Sequence, residues 1–404
     1  QGRKALEMAL YASVTGDTLS DIFTLAAIGP IALVILMVGP PEVFAIIIFS
    51  LVLIASVSSE SGLKGAIAAC IGLGLGLIGT DAATGATRLT FGLEILSAGI
   101  PIIPLVIGIF AVPEVLEAVQ SRAPRFIDEH IDLSKAGERL RWPEFKRSII
   151  TILRSTAIGT GIGMVPGVGQ VVAAFISYSA AKRASDDPDS YGKGNLDGIA
   201  APEAANNAVN GPTLVPLLTL GIPGDNITAI LLGAFVAHGM RPGPQIFEEQ
   251  GPLMYALLLS IVFANILFLG LGYILLKPFA YAIQAKKAYL VPIILGLAFV
   301  GTLSTGVYTD VIIMIVVGVC SFILRKLKFD LAPLVIAFVL SEPIEYRLSQ
   351  TMLYAKGDIF HYMFVQRPVS SIFLSAAIIW IGYLIISPRL NKRKQSQGAQ
   401  AAQP

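Results

Sequence analysis

The chain departs from a smooth apolar span at residues 159–170, GTGIGMVPGVGQ, and again at residues 217–226, LLTLGIPGDN. In each stretch an apolar run stops at a Pro-Gly pair, because proline ends a helix and glycine lets the backbone turn sharply. Non-helical backbone at membrane depth is tolerated only where it is buried in protein or lines a wet cavity. The two stretches therefore predict broken helices whose tips, as re-entrant hairpins, face each other near the midplane. Two ordinary loops at span ends are the alternative.

The sequence around these breaks is that of a polytopic membrane protein. Of its 404 residues, 54% are hydrophobic and 14% are charged, whereas about a quarter of an ordinary soluble domain is charged. The expected fold is all-α, with re-entrant helical hairpins added to about nine full spans that are long enough to cross ~30 Å of hydrocarbon. The spans are predicted at 22–38, 43–57, 63–79, 100–119, 149–165, 253–276, 290–303, 307–324 and 369–386.

Basic residues mark the side of the membrane on which each loop lies. The largest group falls in the loop before the fifth predicted span, and the positive-inside rule assigns this loop to the cytoplasm. Counting spans from it places residues 39–42 and 80–97 outside, and Arg3, Lys4 and Lys64 inside. The net charge of +2 provides no overall field that would attract nucleic acid.

Four segments follow from this count. The basic loop mixes bases with acids and contains Trp142, so it is predicted to be an amphipathic helix at the inner interface. The segments are 1–119 with about four spans, the cytoplasmic amphipathic connector 120–147, a second membrane segment 148–388 with the broken segment 159–244, and a disordered cytoplasmic tail at 389–404.

Polar side chains in the broken segment are candidates for ligand binding, since such groups are costly inside a membrane. Asn206 and Asn207 each offer amide donors and an acceptor to a carboxylate or a cation. Alternatively, one of them caps a helix end. Glu203 follows Pro202 and is predicted to stabilise a helix start from its first turn, with a role as a proton carrier as the alternative. Asp225 follows the second break, where it would bind a cation or take a proton.

Broken helices in transporters aim the positive ends of half-helices at anionic groups, while freed carbonyl groups coordinate sodium. This geometry predicts two sets of site residues. The substrate set is Pro166, Gly167, Gly169, Asn206, Asn207, Gly221, Pro223 and Gly224. The ion set is Asn207, Thr219, Asp225 and Asn226.

Motifs of soluble enzymes are absent or misplaced. The G-x-G-x-G at 159–163 lies in an apolar span with no soluble strand before it, so it is not a dinucleotide turn. No G-x-x-x-x-G-K-[ST] motif is present, which excludes ATP hydrolysis by a P-loop. His130, His238 and His361 are dispersed without the spacing of metal ligands. We therefore expect no enzyme, no metal site and no cofactor, with sodium only as a coupling ion.

Five motifs in and around the breaks resemble the large membrane subunit of tripartite tricarboxylate transporters. The likeness extends over nearly the whole chain, including G-P-P-E at 39–42, T-G-x-x-R-x-T-F-G at 84–92 and P-L-V-x-A-F at 333–338. The five motifs are G-x-x-P-G-x-G at 163–169, Y-G-K-G at 191–194, A-A-P-E-A-A-N-N-A at 200–208, L-L-T-L-G-I-P-G at 217–224 and H-G-x-x-P-G-P at 238–244.

The resemblance implies a multi-pass secondary carrier of the bacterial inner membrane, with two inverted repeats and sodium coupling. Residues 1–119 are then the remainder of the first repeat, and residues 148–388 are the second repeat. It also implies three partners: an organic carboxylate, a periplasmic binding protein and a small four-span membrane subunit. The family signature occurs once per repeat, and this chain holds only the second copy, so the N-terminal part that carries the first copy is expected to be missing. Asp225 and residues 209–212 stand where the family usually has small residues.

The function expected is the import of small di- or tricarboxylates by sodium symport with alternating access. A passive channel, or a structural membrane subunit without ion coupling, is the alternative. It differs from a carrier in showing flux without saturation or a sodium requirement. A membrane enzyme is the third possibility, and it lacks any catalytic constellation in this sequence.

Overall fold

The computed structural model describes residues 2–35, 38–57, 62–80, 85–120, 139–166, 168–243, 245–282, 287–304 and 307–383. Helices make up nearly all of these ranges, which confirms the all-α class. Three predicted features lie outside the described residues: most of the connector, at 121–138, the tail at 389–404, and Gly167 in the first break.

The described helices are numbered in chain order, and one short antiparallel ladder of two strands, β1 and β2, lies between α3 and α4. The elements are α1 (Gly2–Ile35), α2 (Pro40–Val57), α3 (Gly62–Gly76), β1 (Gly79–Thr80), β2 (Thr87–Arg88), α4 (Ile102–Gln120), α5 (Trp142–Gly163), α6 (Gly169–Arg183), α7 (Asp197–Asn207), α8 (Leu214–Leu220), α9 (Asn226–Ala237), α10 (Ile246–Ala282), α11 (Lys287–Leu303), α12 (Thr309–Lys326), α13 (Ala332–Ala355), α14 (Ile359–His361) and α15 (Pro368–Tyr383).

The lengths of these helices support a membrane protein without confirming nine full spans. Two described stretches are long and apolar enough to cross a membrane alone, Ile102–Gln120 and Ile246–Leu276. A third is possible if Ile359–Gln366 and Pro368–Tyr383, bent by 102°, form one span. Three other predicted spans correspond to shorter apolar helices: Pro40–Ser56, Gly62–Gly76 and Tyr289–Leu303. A further short apolar helix, Ile227–Ala237, lies in the broken segment, where no full span is predicted.

One set of helices, here the α13 group, consists of α2, α3, α4 and α13. Its buried core is apolar and includes Ile47, Leu105 and Val335, each with 0% of its surface exposed. Gly72 brings α3 directly against α13, because a β-carbon at this position would lie 2.1 Å from the Leu334 carbonyl oxygen. Only glycine permits such an approach, so this residue sets the spacing of the two helices.

A second set, here the α7 group, consists of α1, α5, α6 and α7. The alanines of α7 at 200, 201, 204 and 205 are fully buried by the other three helices. A β-carbon at Gly16 on α1 would lie 2.4 Å from the Ala204 carbonyl oxygen, and one at Gly159 on α5 would lie 2.3 Å from that of Ala205. Small residues on both sides of these contacts allow the close helix packing that is typical of membrane proteins.

The helices α8 and α9 connect the two groups. Leu217 and Leu218 of α8 pack in a buried cluster with Ile28 of α1 and Met254 of α10. Ile222, which follows α8, is fully buried in the core of the α13 group. The second break in the sequence therefore lies between the two groups of helices.

Contacts at the helix ends pair residues that the basic-loop count assigns to the same side. Lys4 Nζ donates to Glu144 Oε1 over 2.6 Å, and both residues are predicted to lie inside. Lys64 Nζ donates over 2.6 Å to the carbonyl oxygen of Leu327, which lies in a basic segment. These contacts agree with the predicted topology.

The loops that the count places outside contact later parts of the chain, for which no side is predicted. The β1–β2 ladder lies in the loop that the count places outside, and Arg88 at its end forms a bidentate pair with Glu345 of α13. Glu42, in the other outer loop, lies 3.5 Å from Arg367, which precedes α15.

Candidate functional site

The first break separates α5, which ends at Gly163, from α6, which begins at Gly169. Gly169 has a positive φ of 75°, and no atom lies within 4 Å of the position that its β-carbon would occupy. Val168 precedes the helix, and no side chain caps the first turn. The first N–H groups of α6, which carry a partial positive charge, therefore have no side-chain cap among the described residues, and open space lies beside Gly169.

The second break is built differently, because it is buried and capped from within. Gly221 ends α8 with a φ of 72°, and its N–H donates to the Leu217 carbonyl oxygen over 2.9 Å. Asp225 caps α9: its Oδ1 accepts hydrogen bonds from the backbone N–H and the hydroxyl of Thr228, over 2.8 and 2.7 Å. Pro223 and Gly224 are buried between these helix ends.

The two breaks meet across the segment that follows α7. A β-carbon at Gly224 would lie 2.1 Å from the Thr213 hydroxyl oxygen and 3.9 Å from the Gly163 carbonyl oxygen. A β-carbon at Gly163 would lie 2.7 Å from the Val209 carbonyl oxygen. The end of α5, the segment 209–213 and the second break therefore form one closely packed junction.

The other predicted site residues lie around this junction rather than in it. Asn206 and Asn207 are half-buried at the C-terminal end of α7, where the Asn207 amide donates to the Glu203 carbonyl oxygen over 3.0 Å. In the described part of the chain, no hydrogen bond joins either asparagine to the two breaks. Thr219 is fully buried in α8, and its hydroxyl donates to the Val215 carbonyl oxygen. Pro166 is half-buried in the first break.

The prediction that Glu203 lies in the first turn of a helix is wrong. Pro202 lies inside α7, which begins at Asp197, so the first-turn acid is Asp197. The Asp197 N–H donates to the side chain of Asn195 over 2.9 Å, which satisfies one free donor of the helix start. Glu203 instead accepts a hydrogen bond from the Ser13 hydroxyl of α1 over 3.0 Å.

The structure adds two acids of α1 that the sequence reasoning did not include. Asp17 and Asp21 are 8% and 4% exposed on the face of α1 that meets this junction. The Asn210 amide donates to Asp17 Oδ1 over 3.1 Å and accepts from Gln170, at the start of α6, over 2.5 Å. The Asn265 amide of α10 donates to Asp21 Oδ2 over 2.7 Å. A polar chain thus runs from the first break to α1.

A helical period in the sequence could have revealed these acids. Ser13, Asp17 and Asp21 recur every four residues and so share one face of a helix, to which Ser20 and Thr24 add a parallel row. The first predicted span begins at residue 22 and leaves the acids in a preceding loop. In the structure α1 runs from Gly2 to Ile35 and carries both acids in its interior.

Two described cavities lie away from this junction. One of about 490 Å³ is lined by the first half of α1 and the start of α5, including Tyr11 and Trp142. Another of about 560 Å³ is lined by the β1–β2 region and α13, including Arg88 and Glu345. In the described ranges, no three His, Cys, Asp or Glu side chains come together as metal ligands.

The chain is similar to known protein sequences along most of its length. Residues 1–336 match the model of the Tripartite tricarboxylate transporter TctA family. An uncharacterized 52.8 kDa protein in the TAR-I ttuC' 3' region of Agrobacterium vitis is 32% identical over 395 residues, which cover 96% of this chain and 77% of that protein. An uncharacterized protein in the TAR-II ttuC' 3' region of the same organism is 32% identical over 238 residues, covering 59% of this chain and 98% of that protein.

No solved structure matches the chain significantly. The assignment of the chain to a family therefore rests on the match to the family model. This match agrees with the apolar helices and with the absence of an enzyme motif from the sequence. The chain belongs to the tripartite tricarboxylate transporter TctA family, and it is a transporter subunit rather than an enzyme, as its motifs predict.

Proposed function

We propose that this chain is the membrane subunit of a binding-protein-dependent carrier that imports small organic di- or tricarboxylates by sodium symport with alternating access. The proposed location is the bacterial inner membrane. The proposed partners are a periplasmic binding protein and a small four-span membrane subunit. The description of the family as a tripartite tricarboxylate transporter supports the substrate class and a three-part assembly.

The observation that carries this proposal is the junction of the two breaks at segment 209–213. Interrupted helices that pack on each other inside a protein can hold a ligand between half-helix ends, and relative motion of such elements opens the site to one side and then to the other. The proximity of Gly163 and Gly224 supports this geometry.

The first break supports binding of an anion. The N-terminus of α6 is uncapped by any side chain, and Gly169 leaves space beside it. A carboxylate placed there would accept hydrogen bonds from free N–H groups and gain from the helix dipole. Pro166, Gly167 and Gly169 are therefore the proposed first contacts of the substrate, and Gln170 lies next to them.

The second break supports a different role. The carboxylate of Asp225 already accepts a hydrogen bond from the first turn of α9. The N-terminus of α9 therefore has fewer free N–H groups to offer a bound anion. A second negative group would be repelled there unless a cation lay between the two. We propose that the second break, with Gly221, Pro223 and Gly224, closes on the substrate, and that Asn207, Thr219, Asp225 and Asn226 contribute to ion binding.

The decisive experiment measures uptake of labelled carboxylates into vesicles that hold the complete protein, its small partner and its binding protein. Uptake is compared with and without an inward sodium gradient. Saturable uptake that requires the gradient is the expected result. Flux that neither saturates nor responds to sodium would contradict the proposal and favour a passive channel.

A matched pair of variants locates the substrate. Gly169→Ala strains a positive φ and narrows the open tip, so it is expected to lower uptake severalfold. Gly192→Ala alters another glycine with a φ of 81° and open space beside it, in the loop before α7. This control is expected to retain uptake, because its loop lies away from the junction. Equal loss in both variants would show a general effect of backbone strain.

A further inference from the structure

The two acids of α1 present an unusual electrostatic situation. Asp17 and Asp21 lie one helical turn apart on the same face, and both are more than nine-tenths buried. Within the described residues, their side-chain partners are the neutral amides of Asn210 and Asn265, and no lysine or arginine pairs with either acid. Burying a carboxylate without a counter-charge is costly, so two adjacent ones call for a positive partner or a proton.

One carboxylate oxygen is left without any partner. Asp21 Oδ1 is inaccessible to solvent and makes no hydrogen bond in the described part of the chain, although Oδ2 of the same group accepts from Asn265. Oδ1 points at segment 209–213: a β-carbon at Gly211 would lie only 2.1 Å from it. A buried oxygen that lacks a donor is a position for a ligand that accepts lone pairs.

A second such oxygen lies on the other side of the same short segment. Asp225 Oδ2 is also inaccessible and unbonded among the described residues, while its Oδ1 caps α9. Asp225 follows Gly224, which packs on Thr213, and Asp21 packs on Gly211. Residues 211–213 therefore lie between two carboxylates that each have one inaccessible oxygen without a hydrogen bond among the described residues.

We propose that Asp17 and Asp21 of α1 form the main binding site for the coupling sodium ion, against segment 209–213. Oxygen atoms are the ligands that hard cations prefer. One monovalent cation would offset part of the negative charge of the two carboxylates. Because Asn210 bonds both Asp17 and Gln170, an ion bound at α1 orders the start of α6, where the substrate carboxylate is proposed to bind. This inference rests on the proposed sodium symport.

The test measures sodium binding without transport. The complete protein is purified in detergent, and its thermal unfolding is followed as sodium chloride replaces choline chloride at constant ionic strength. A ligand that binds only the folded state raises the midpoint in a saturable manner. The wild-type protein is expected to respond in this way, and Asp21→Asn is expected to raise the half-saturating sodium concentration at least tenfold.

Two further variants complete the test. Asp310→Asn replaces an acid of α12 that is equally buried, at 4% exposed, and it is expected to keep the wild-type sodium response. Asp17→Asn removes the other charge and is expected to weaken sodium binding as well, which keeps the test available if Asp21→Asn does not fold. A neutral, nearly isosteric amide reduces the cost of burial, so folding of both variants is expected.

The outcomes separate this inference from the proposed function. If Asp17→Asn and Asp21→Asn bind sodium like the wild type, or if Asp310→Asn loses binding equally, the site is overturned even when sodium-driven uptake persists. If sodium binding depends on the two acids but no carboxylate enters the vesicles, the site stands and the proposed substrate fails. Uptake driven by a proton gradient in the absence of sodium would overturn the choice of ion.

Discussion

The α7 group and the α13 group use the same close packing of helices but bury different chemistry. Gly16 and Gly72 each bring one helix against the backbone of another, with β-carbon positions 2.4 and 2.1 Å from a carbonyl oxygen. Asp17 and Asp21 of α1 are buried without a basic partner among the described residues. The core around Gly72 is aliphatic, and the buried acid of the α13 group, Glu42, lies 3.5 Å from Arg367.

We infer from this difference that the α7 group is the part of the molecule organised for a ligand. Close glycine contacts increase van der Waals packing in either group, so they report only on helix spacing. Buried acids lower stability unless they are compensated, and their retention in the α7 group points to a function there. In the proposed mechanism, the α13 group is the framework against which the α7 group moves.

The largest effect is expected from Gly72→Ala in the α13 group. Its new methyl group collides with the backbone at Leu334 and is expected to destabilise the protein by about 1–3 kcal/mol, in the range of an overpacked core. Gly74→Ala, two residues further along α3, meets open space and is expected to be neutral or slightly stabilising. Thermal unfolding measures both. A sodium response altered by Gly72→Ala would break the distinction between the groups.

Asn210→Ala tests the polar chain of the α7 group. The change removes the donor to Asp17 and the acceptor for Gln170, and a lost bond to a charged group costs about 1.5 kcal/mol or more. The half-saturating sodium concentration for uptake is therefore expected to rise about tenfold. Gln350→Ala removes an amide that accepts from Arg347 in α13 and serves as the control. A shift in both variants would contradict a role confined to the α7 group.

Glu345→Gln tests a charged contact of the α13 group. Arg88 and Glu345 form a bidentate pair whose side chains are 31% and 23% exposed, so water already screens it in part. Its loss is expected to cost about 0.5–1 kcal/mol of stability. A double-mutant cycle that combines Glu345→Gln with Arg88→Gln measures the interaction free energy between the two side chains. Sodium dependence of uptake should stay unchanged, and a change would mean that this pair takes part in transport.

The smallest effect is expected at the surface of the α7 group. The hydrogen bond from Lys4 to Glu144, with a backbone hydrogen bond at Arg141, lowers the pKa of the Glu144 carboxyl. A lowered pKa contributes stability above the ordinary carboxyl range, and that stability is lost as pH falls through the lowered value. Lys4→Met should slightly lower the unfolding temperature at neutral pH, and the difference should vanish in acid. Lys193→Met, at an exposed loop, should show no such difference.

The two breaks could be predicted from sequence because proline and glycine act locally. Pro166 and Gly221 end helices through the shape of their own backbone, and the structure interrupts the helices at these places. The polar face of α1 could not be predicted from composition alone. Its acids depend on Asn210 and Asn265, which lie 193 and 244 residues further along the chain.

Span lengths were harder to predict for a related reason. An average of hydropathy over a window of sequence lowers the score of any segment that contains an acid, whether or not the acid is buried. In α1 the neighbouring helices bury Asp17 and Asp21. The window therefore begins the first span after these acids, while the helix itself begins at Gly2. The contacts that decide such boundaries are tertiary, and a single sequence does not contain them explicitly.

The long distance between these partners along the chain also affects how the protein is made. An acid at the centre of a helix adds about 2.5–3.5 kcal/mol to the cost of inserting that helix into a bilayer. α1 leaves the ribosome long before α10, which carries Asn265. During synthesis α1 is therefore a weakly inserting segment that other helices must shelter. Its final depth in the membrane is set when the second half of the chain arrives.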